Sequence, residues 1–500
     1  MKQEQTATNL ALPEQPAVTS QRPRRAGRKA LPGAVIQKAW LVLLAALAMT
    51  ILEGAFRKWV PLFGEGMGKY LMYFSKDIIF ALVLFFPKRG GQSEALATLQ
   101  RWLIPGCVIL TAGISLSCIH GINPVGAALS FRADILLPVM ALLAVPRLAG
   151  LSLRWVIWLL AAFTVLNCGL GLEQNRLPQG NFLNRYAADT EQIADYAGTV
   201  RAAGTFAYIA GMATISSLGI WTGLAWMGLP KTQRQRFGAW ITLTAGFGCG
   251  LATISRAPIV IGLAMMIGWA FGSKDRISTM ARGATMGIFC LIVATGIGIT
   301  PDFSNLGEKL MQRSETSSDS FQGRAFGQLG ETVTAIQMAP LGNGFGTEQV
   351  AGTYYATGQM GLNHFENPLP RLVMETGILG LIGYLVICAG AILALQTAKR
   401  QASNAGARGA LLATQLLLLP MFYSSVLFNH TASAFVWMIF AAVLAAAEVQ
   451  PEAGGQSPED RNEQPKRRRP KLGRAVFSVT GGRKTDGGSR RTDEEQATES

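Results

Sequence analysis

The most constraining feature of the chain is a succession of apolar runs, each near 20 residues long and almost free of charge. Such a run closes its own backbone hydrogen bonds as a helix and spans a hydrocarbon layer about 30 Å thick. The runs fall at 38–55, 70–87, 102–119, 128–145, 154–172, 203–228, 238–254, 257–273, 282–300, 369–396, 408–427 and 431–448. They predict an all-α, polytopic membrane protein with about 12 transmembrane helices and a large extracytoplasmic loop, 301–368, that contains an amphipathic helix. Composition agrees, since 49% of residues are hydrophobic, 15% are charged, and the charge gathers in tails and connectors.

A net charge of +15 would suit nucleic acid if it formed a groove, but Lys and Arg cluster at Arg22–Lys29, at Lys466–Arg474 and in every second loop. That alternation is topological, because basic residues are retained on the cytoplasmic side of a membrane. Loops carrying Lys88 and Arg89, Arg147 and Arg154, Lys231–Arg236, Lys274–Arg282 and Lys399–Arg408 share a side with both basic tails. Both termini are thus expected in the cytoplasm of a bacterial inner membrane. Segments 56–69, 120–127, 173–202, the turn at Ser255, 301–368 and the turn near His430 are expected outside.

The polar stretches 1–35 and 449–500 lack apolar periodicity and are expected to be disordered cytoplasmic tails around a membrane domain at 36–448. The first apolar run follows too long a polar segment for an ordinary cleaved signal and reads as an uncleaved anchor. Six dispersed cysteines without CxxC spacing read as free thiols. No repeat relates the two halves, which counts against transporters built from repeats.

Ionisable groups inside a membrane cost roughly 2.5–3.5 kcal/mol each on insertion scales, so each needs a partner or a wet cavity. Here they lie toward one side. Glu53, Arg57 and Lys58 close the first run, and Lys76 and Asp77 sit about two turns into the second, where an outward crevice would wet them. Arg132 and Asp134 enter the fourth, and Arg201 precedes the sixth. Each of these also has a purely structural reading, as a headgroup anchor or as half of an interhelical ion pair.

Arg256 is less easily absorbed. It occupies an outward turn, Ser255-Arg256-Ala257-Pro258, between two apolar stretches, and 238–273 contains no Asp or Glu. An anion from elsewhere, a phosphate above all, is implied. In the long loop, Phe326, Leu329, Val333 and Ile336 follow Arg324 at spacings of three and four, predicting an amphipathic helix that ends near Pro340. It would lie on the membrane surface or over the crevice. Leu341-Gly342-Asn343-Gly344-Phe345-Gly346 is superficially like a dinucleotide-binding turn, but no strand precedes it, and it reads as a plain turn. Next comes Asn363-His364-Phe365-Glu366-Asn367, before Arg371 and an apolar helix holding Glu375 and Gly377. A histidine of near-neutral pKa suits proton abstraction from a hydroxyl, although a lone histidine is more often structural. His120, His364 and His430 come from separate loops with no HxxxH spacing, so no metal is expected.

These pieces, in this order, resemble the O-antigen ligase and polysaccharide polymerase family: Thr253-Ile254-Ser255-Arg256-Ala257, Arg324 with its helix, Pro340–Gly346, and His364 through Glu375-Thr376-Gly377-Ile378-Leu379-Gly380. The likeness covers mainly 238–396. It departs where Ala257 stands for a frequent glycine and Phe365 for a frequent asparagine, so no role passes to Asn367. The resemblance implies a glycosyltransferase acting on a polyprenyl-pyrophosphate-linked glycan donor. The acceptor would be a second lipid-linked glycan or lipid A core, for exopolysaccharide or O-antigen assembly without nucleotide, metal or other cofactor. In that reading Arg256, Arg324, Arg371 and Arg201 bind pyrophosphate, while His364 activates the acceptor hydroxyl and Glu366 orients the imidazole. Glu53, Arg57, Lys58 and Asp77 are then donor-binding or structural. Membrane lipid is an expected partner, as are a chain-length regulator or secretion proteins. Two rivals remain at this stage: a multi-helix flippase for a lipid-linked glycan, and a membrane scaffold in which Arg256 and His364 are purely structural.

Overall fold

Every predicted apolar run that the structure describes holds a helix, because a chain without water to satisfy its amides must satisfy them along its own axis, although the run expected at 203–228 opens with a turn over 203–208 and is helical only from Ile209. The structure, a computed structural model, describes residues 33–447 apart from 65, 90, 92, 150–151, 187–194, 197, 230–231, 273–317, 349–366, 403–404 and 425–429. The expected run 282–300, residues 1–32 and the tail 449–500 lie outside the described residues, while 33–35, expected in the N-terminal tail, are already helical.

The helices are α1 (Gly33–Trp59), α2 (Gly66–Leu82), α3 (Glu94–Ser117), α4 (Pro124–Leu148), α5 (Arg154–Arg176), α6 (Ile209–Gly228), α7 (Gln233–Ala252) and α8 (Arg256–Phe271). They continue with α9 (Ser318–Met338), α10 (Pro368–Gln401), α11 (Ala405–Ser424) and α12 (His430–Ala447). A short antiparallel pair, β1 (Asp195–Tyr196) and β2 (Thr199–Val200), precedes α6. Among the described residues 7 helices, α1, α3, α4, α5, α6, α10 and α12, are long and apolar enough to cross a membrane. The protein is a mostly helical, polytopic membrane protein.

Local sequence sets several boundaries. Ser93 accepts a hydrogen bond from Leu96 N at 3.0 Å and starts α3, while Asn123 accepts from Gly126 N at 3.2 Å ahead of Pro124 to start α4. Within α4, Arg132–Leu136 winds as a π-helix, a widening frequent at functional sites. α3 and α10 cross at backbone contact: a Cβ on Gly113 would lie 2.6 Å from Gly380 N, and one on Gly383 2.5 Å from Leu110 N. Small residues let helices approach in a membrane, where dispersion replaces the hydrophobic drive.

α10 breaks at Gly377, whose φ of 70° with ψ of −171° is a conformation open essentially to glycine alone. The glycine-rich turn after α9 fills the break, with Asn343 N donating to Met374 O at 2.6 Å and Ile378 N to Pro340 O at 3.0 Å. What the sequence offers as a plain turn is thus the seal on a discontinuous helix.

α9 forms as expected and ends at Met338, but with a different face inward. Ala335 and Ala339 pack against Val373 and Met374 of α10, whereas Leu329 and Val333 are 59% and 55% exposed. Close seating against α10 favours small side chains; of the predicted stripe, Ile336 is partly buried against this patch, whereas Leu329 and Val333 turn away from it.

Candidate active site

The polar residues gather at one end of the bundle, where α1, α3, α5 and α7 finish and α4, α6, α8, α10 and α12 begin. Three parts can be distinguished: an arginine corner, an ionic cluster around Tyr73, and a carboxylate site under the α10 break.

The corner joins the segment before α6 to the α7–α8 turn. Arg201 Nε donates to Thr253 O at 3.1 Å and its Nη2 to Ser255 Oγ at 2.9 Å. Ala202 N donates to Ala252 O at 3.0 Å, and Asn175 Nδ2 ties Val200 O and Ala252 O together at 2.6 and 2.9 Å. Ile254, wholly buried, sits at φ 49°, a left-handed conformation rare for a β-branched residue. Such strain costs on the order of 1–3 kcal/mol and clusters at functional sites. It tips the next residues outward, so that Arg256 is the first residue of α8, half-buried beside the helix's unsatisfied first-turn amides. Two of the four arginines expected to bind pyrophosphate therefore share one corner, and the hairpin 238–273 brings no carboxylate to it.

The ionic cluster is different in kind. Arg57 Nη1 and Lys76 Nζ both meet Glu53, at 2.9 and 2.6 Å, and Arg132 grips Asp77 through Nε and Nη2 at 2.5 and 2.8 Å. Tyr73 lies among them, its ring centroid 5.9 Å from Arg57 Cζ, 4.3 Å from Lys76 Nζ and 5.5 Å from Arg132 Cζ. The His430 ring meets Tyr73 edge-on at 5.9 Å. An outward crevice wetting Lys76 and Asp77 is not what surrounds them: both are buried, Lys76 completely, because the opposing charges and the Tyr73 face replace water. The ion-pair reading of Glu53, Arg57 and Asp77 is the one the geometry realises. Asp134, two residues from Arg132, is buried and makes no ion pair among the described residues.

Beneath the α10 break, Glu375 is buried and accepts from Ser130 Oγ at 2.8 Å, while Ser117 Oγ donates to the Glu375 carbonyl. Arg371, also buried, donates through Nη2 to the Glu348 carbonyl. Asn367 Nδ2 reaches Glu331 Oε2 at 2.9 Å and Gln328 Nε2 reaches Tyr423 O at 3.1 Å, pinning α9 across the starts and ends of α10 and α11. α9 carries Arg324 one turn before Gln328. His364 and Glu366 lie outside the described residues, as does the side chain of Arg324.

Sequence reasoning did not single out Tyr73, Ser117, Ser130, Gln174 or Glu348. Tyr73 stands one turn before Lys76, and Asn167 and Gln174 interrupt an apolar helix seven residues apart, which are the signals that could have marked them. The five described cysteines, Cys107, Cys118, Cys168, Cys249 and Cys388, are free thiols. No protein-family model matches the chain and no curated protein matches it, so its chemistry is read from its own residues.

Proposed function

We propose that the protein is a glycan polymerase or ligase of the O-antigen ligase type, transferring a polyprenyl-pyrophosphate-linked oligosaccharide to an acceptor hydroxyl on the periplasmic face. The reading includes a bacterial inner-membrane location, 12 spans and two cytoplasmic termini, as the alternation of basic loops suggests. One observation carries it: Arg201 bonded to Ser255 beside Arg256, on a turn whose hairpin holds no carboxylate. Cleaving a sugar–pyrophosphate bond develops negative charge on the leaving group, and guanidinium groups held in place by a hydrogen-bonded corner stabilise that charge with little reorganisation.

In this reaction the acceptor oxygen attacks the anomeric carbon, the bond from that carbon to the pyrophosphate oxygen breaks, and the lipid pyrophosphate leaves. His364 takes the hydroxyl proton, with Glu366 orienting its ring, while Arg256, Arg201, Arg324 and Arg371 face the phosphates. The buried ion pairs of Glu53, Arg57, Lys76, Asp77 and Arg132 keep the helix ends in register around them.

A flippase for a lipid-linked glycan is the second reading. It is favoured by the break in α10 at Gly377 beside buried Glu375, since discontinuous helices line cargo sites in transporters. The length distribution of lipid-linked and secreted glycan, from cells carrying wild type, Arg256→Ala or His364→Ala at matched expression, separates the two. Single repeat units or unligated glycan on the outer leaflet is the expected result. Precursor trapped on the inner leaflet would favour the flippase, and glycan of normal length and attachment would overturn both.

A further inference from the structure

Lys58 carries a buried amine, 7% exposed, and no carboxylate pairs with it among the described residues, unlike its neighbours Arg57 and Lys76. A buried amine without a counter-charge is costly unless its hydrogen bonds are made, so its environment has to be built for it. Its Nζ donates to the carbonyl of Gly204 and lies 4.8 Å from the centroid of the Trp59 ring.

Gly204 is the pivot of the turn that leads out of Arg201. Its φ is 57°, its N–H donates to Gln174 Oε1 at 2.8 Å, and a Cβ there would lie 2.3 Å from Asn167 Oδ1. Thr205 donates from its N to Asn167 Oδ1 at 2.8 Å and from its Oγ1 to Ile51 O at 2.9 Å. The turn is pressed onto α1 itself: a Cβ on Gly54 would lie 2.1 Å from Ala207 N and 2.3 Å from Phe206 C, both backbone atoms that cannot rotate away. Four residue types in Glu53-Gly54-Ala55-Phe56-Arg57-Lys58 acquire a reason here. Gly54 admits the loop, Lys58 clamps its pivot, and Glu53 with Arg57 fixes the helix end to α2.

Three residues upstream of the clamped carbonyl, Arg201 holds Thr253 and Ser255, and Arg256 follows. We infer that Lys58 is a positioning residue: through the Gly204 turn it sets where Arg201 and the Ser255–Arg256 turn stand, and so tunes the grip of that corner on a pyrophosphate. The inference rests on the transferase reading only for the identity of the anion.

Its test uses the full-length protein in lipid nanodiscs with two readouts. One is binding of a polyprenyl pyrophosphate. The other is the rate at which a membrane-impermeant maleimide labels Ala257→Cys, an exposed site beside Arg256, in a background lacking the native cysteines. Lys58→Met is expected to change the labelling rate and to weaken lipid binding by on the order of tenfold or more, the scale of a lost hydrogen bond from a charged donor. Lys58→Arg, which can still reach the carbonyl, is expected to restore both. If Lys58→Met cannot be recovered folded, Thr205→Val loosens the same turn from its other anchor and is expected to shift labelling in the same direction. Unchanged labelling in the folded variant overturns the inference whatever the lipid does. Arg256→Ala binding the lipid as tightly as wild type overturns the pyrophosphate reading instead, and labelling then decides the role of Lys58 alone.

Discussion

The Tyr73 cluster and the arginine corner sit at the same end of one bundle and use cations in opposite ways. Around Tyr73 three cations meet two carboxylates and an aromatic face, and each of the three makes an ion pair within the fold. At the corner, Arg201 spends its donors on a carbonyl and a hydroxyl, and Arg256 stands on a hairpin without an acidic residue. Ion-paired charge in a membrane protein holds helices together, whereas cations on a hairpin that carries no acidic residue of its own are the ones we propose meet an anionic ligand. The same residue types thus stand in different settings: an interhelical ion-pair cluster in one case, a turn held by carbonyl and hydroxyl oxygens in the other.

The contrast can be broken most forcefully at Glu53. Glu53→Gln leaves Arg57 and Lys76 buried without a counter-charge, and about 3–5 kcal/mol of stability should be lost, read from thermal unfolding in detergent. A melting curve like that of wild type would mean that water reaches the cluster. At the corner the expectation is reversed: Arg256→Ala should leave the melting curve in place and lower transfer on the order of 10²–10³-fold, the effect of removing one stabiliser of developing negative charge. Equal damage to stability and activity would place Arg256 with the structural cations. Tyr73→Leu keeps apolar volume but withdraws the ring face from three cations, so a loss of roughly 2 kcal/mol is expected in the same unfolding experiment. The mildest change is Arg201→Lys, which retains charge but cannot span Thr253 O and Ser255 Oγ together. About a tenfold rise in the KM for lipid-linked donor, with kcat little changed, is expected there.

Helical architecture was legible because the requirement behind it is local: about 20 apolar residues with a self-satisfied backbone read the same in any context. Helix α9 shows where that kind of reading fails. Its three-and-four spacing correctly predicts a helix, but which face turns inward depends on α10: Ala335 and Ala339 form the centre of the contact with Ile336 beside them, while Leu329 and Val333 stay outside it. The corner was half legible. Arg256 stood out by itself in a hairpin without acids, whereas Arg201 lies 55 residues earlier and its bond to Ser255 exists only after α5, α6 and α7 have packed. Glu53, Lys76, Asp77 and Arg132 were visible as charges, yet their pairing across three helices was not.

What the sequence determined by itself is therefore the membrane character, the helices and the clustering of charge toward one set of connectors, since each follows from hydropathy and period along the chain. Tertiary structure alone decided which charges cancel, that α10 breaks at Gly377 under a glycine-rich seal, and that Lys58 clamps the Gly204 turn. Those outcomes depend on distances between residues far apart in the chain, and electrostatic and hydrogen-bond energies are fixed by such distances rather than by sequence neighbours.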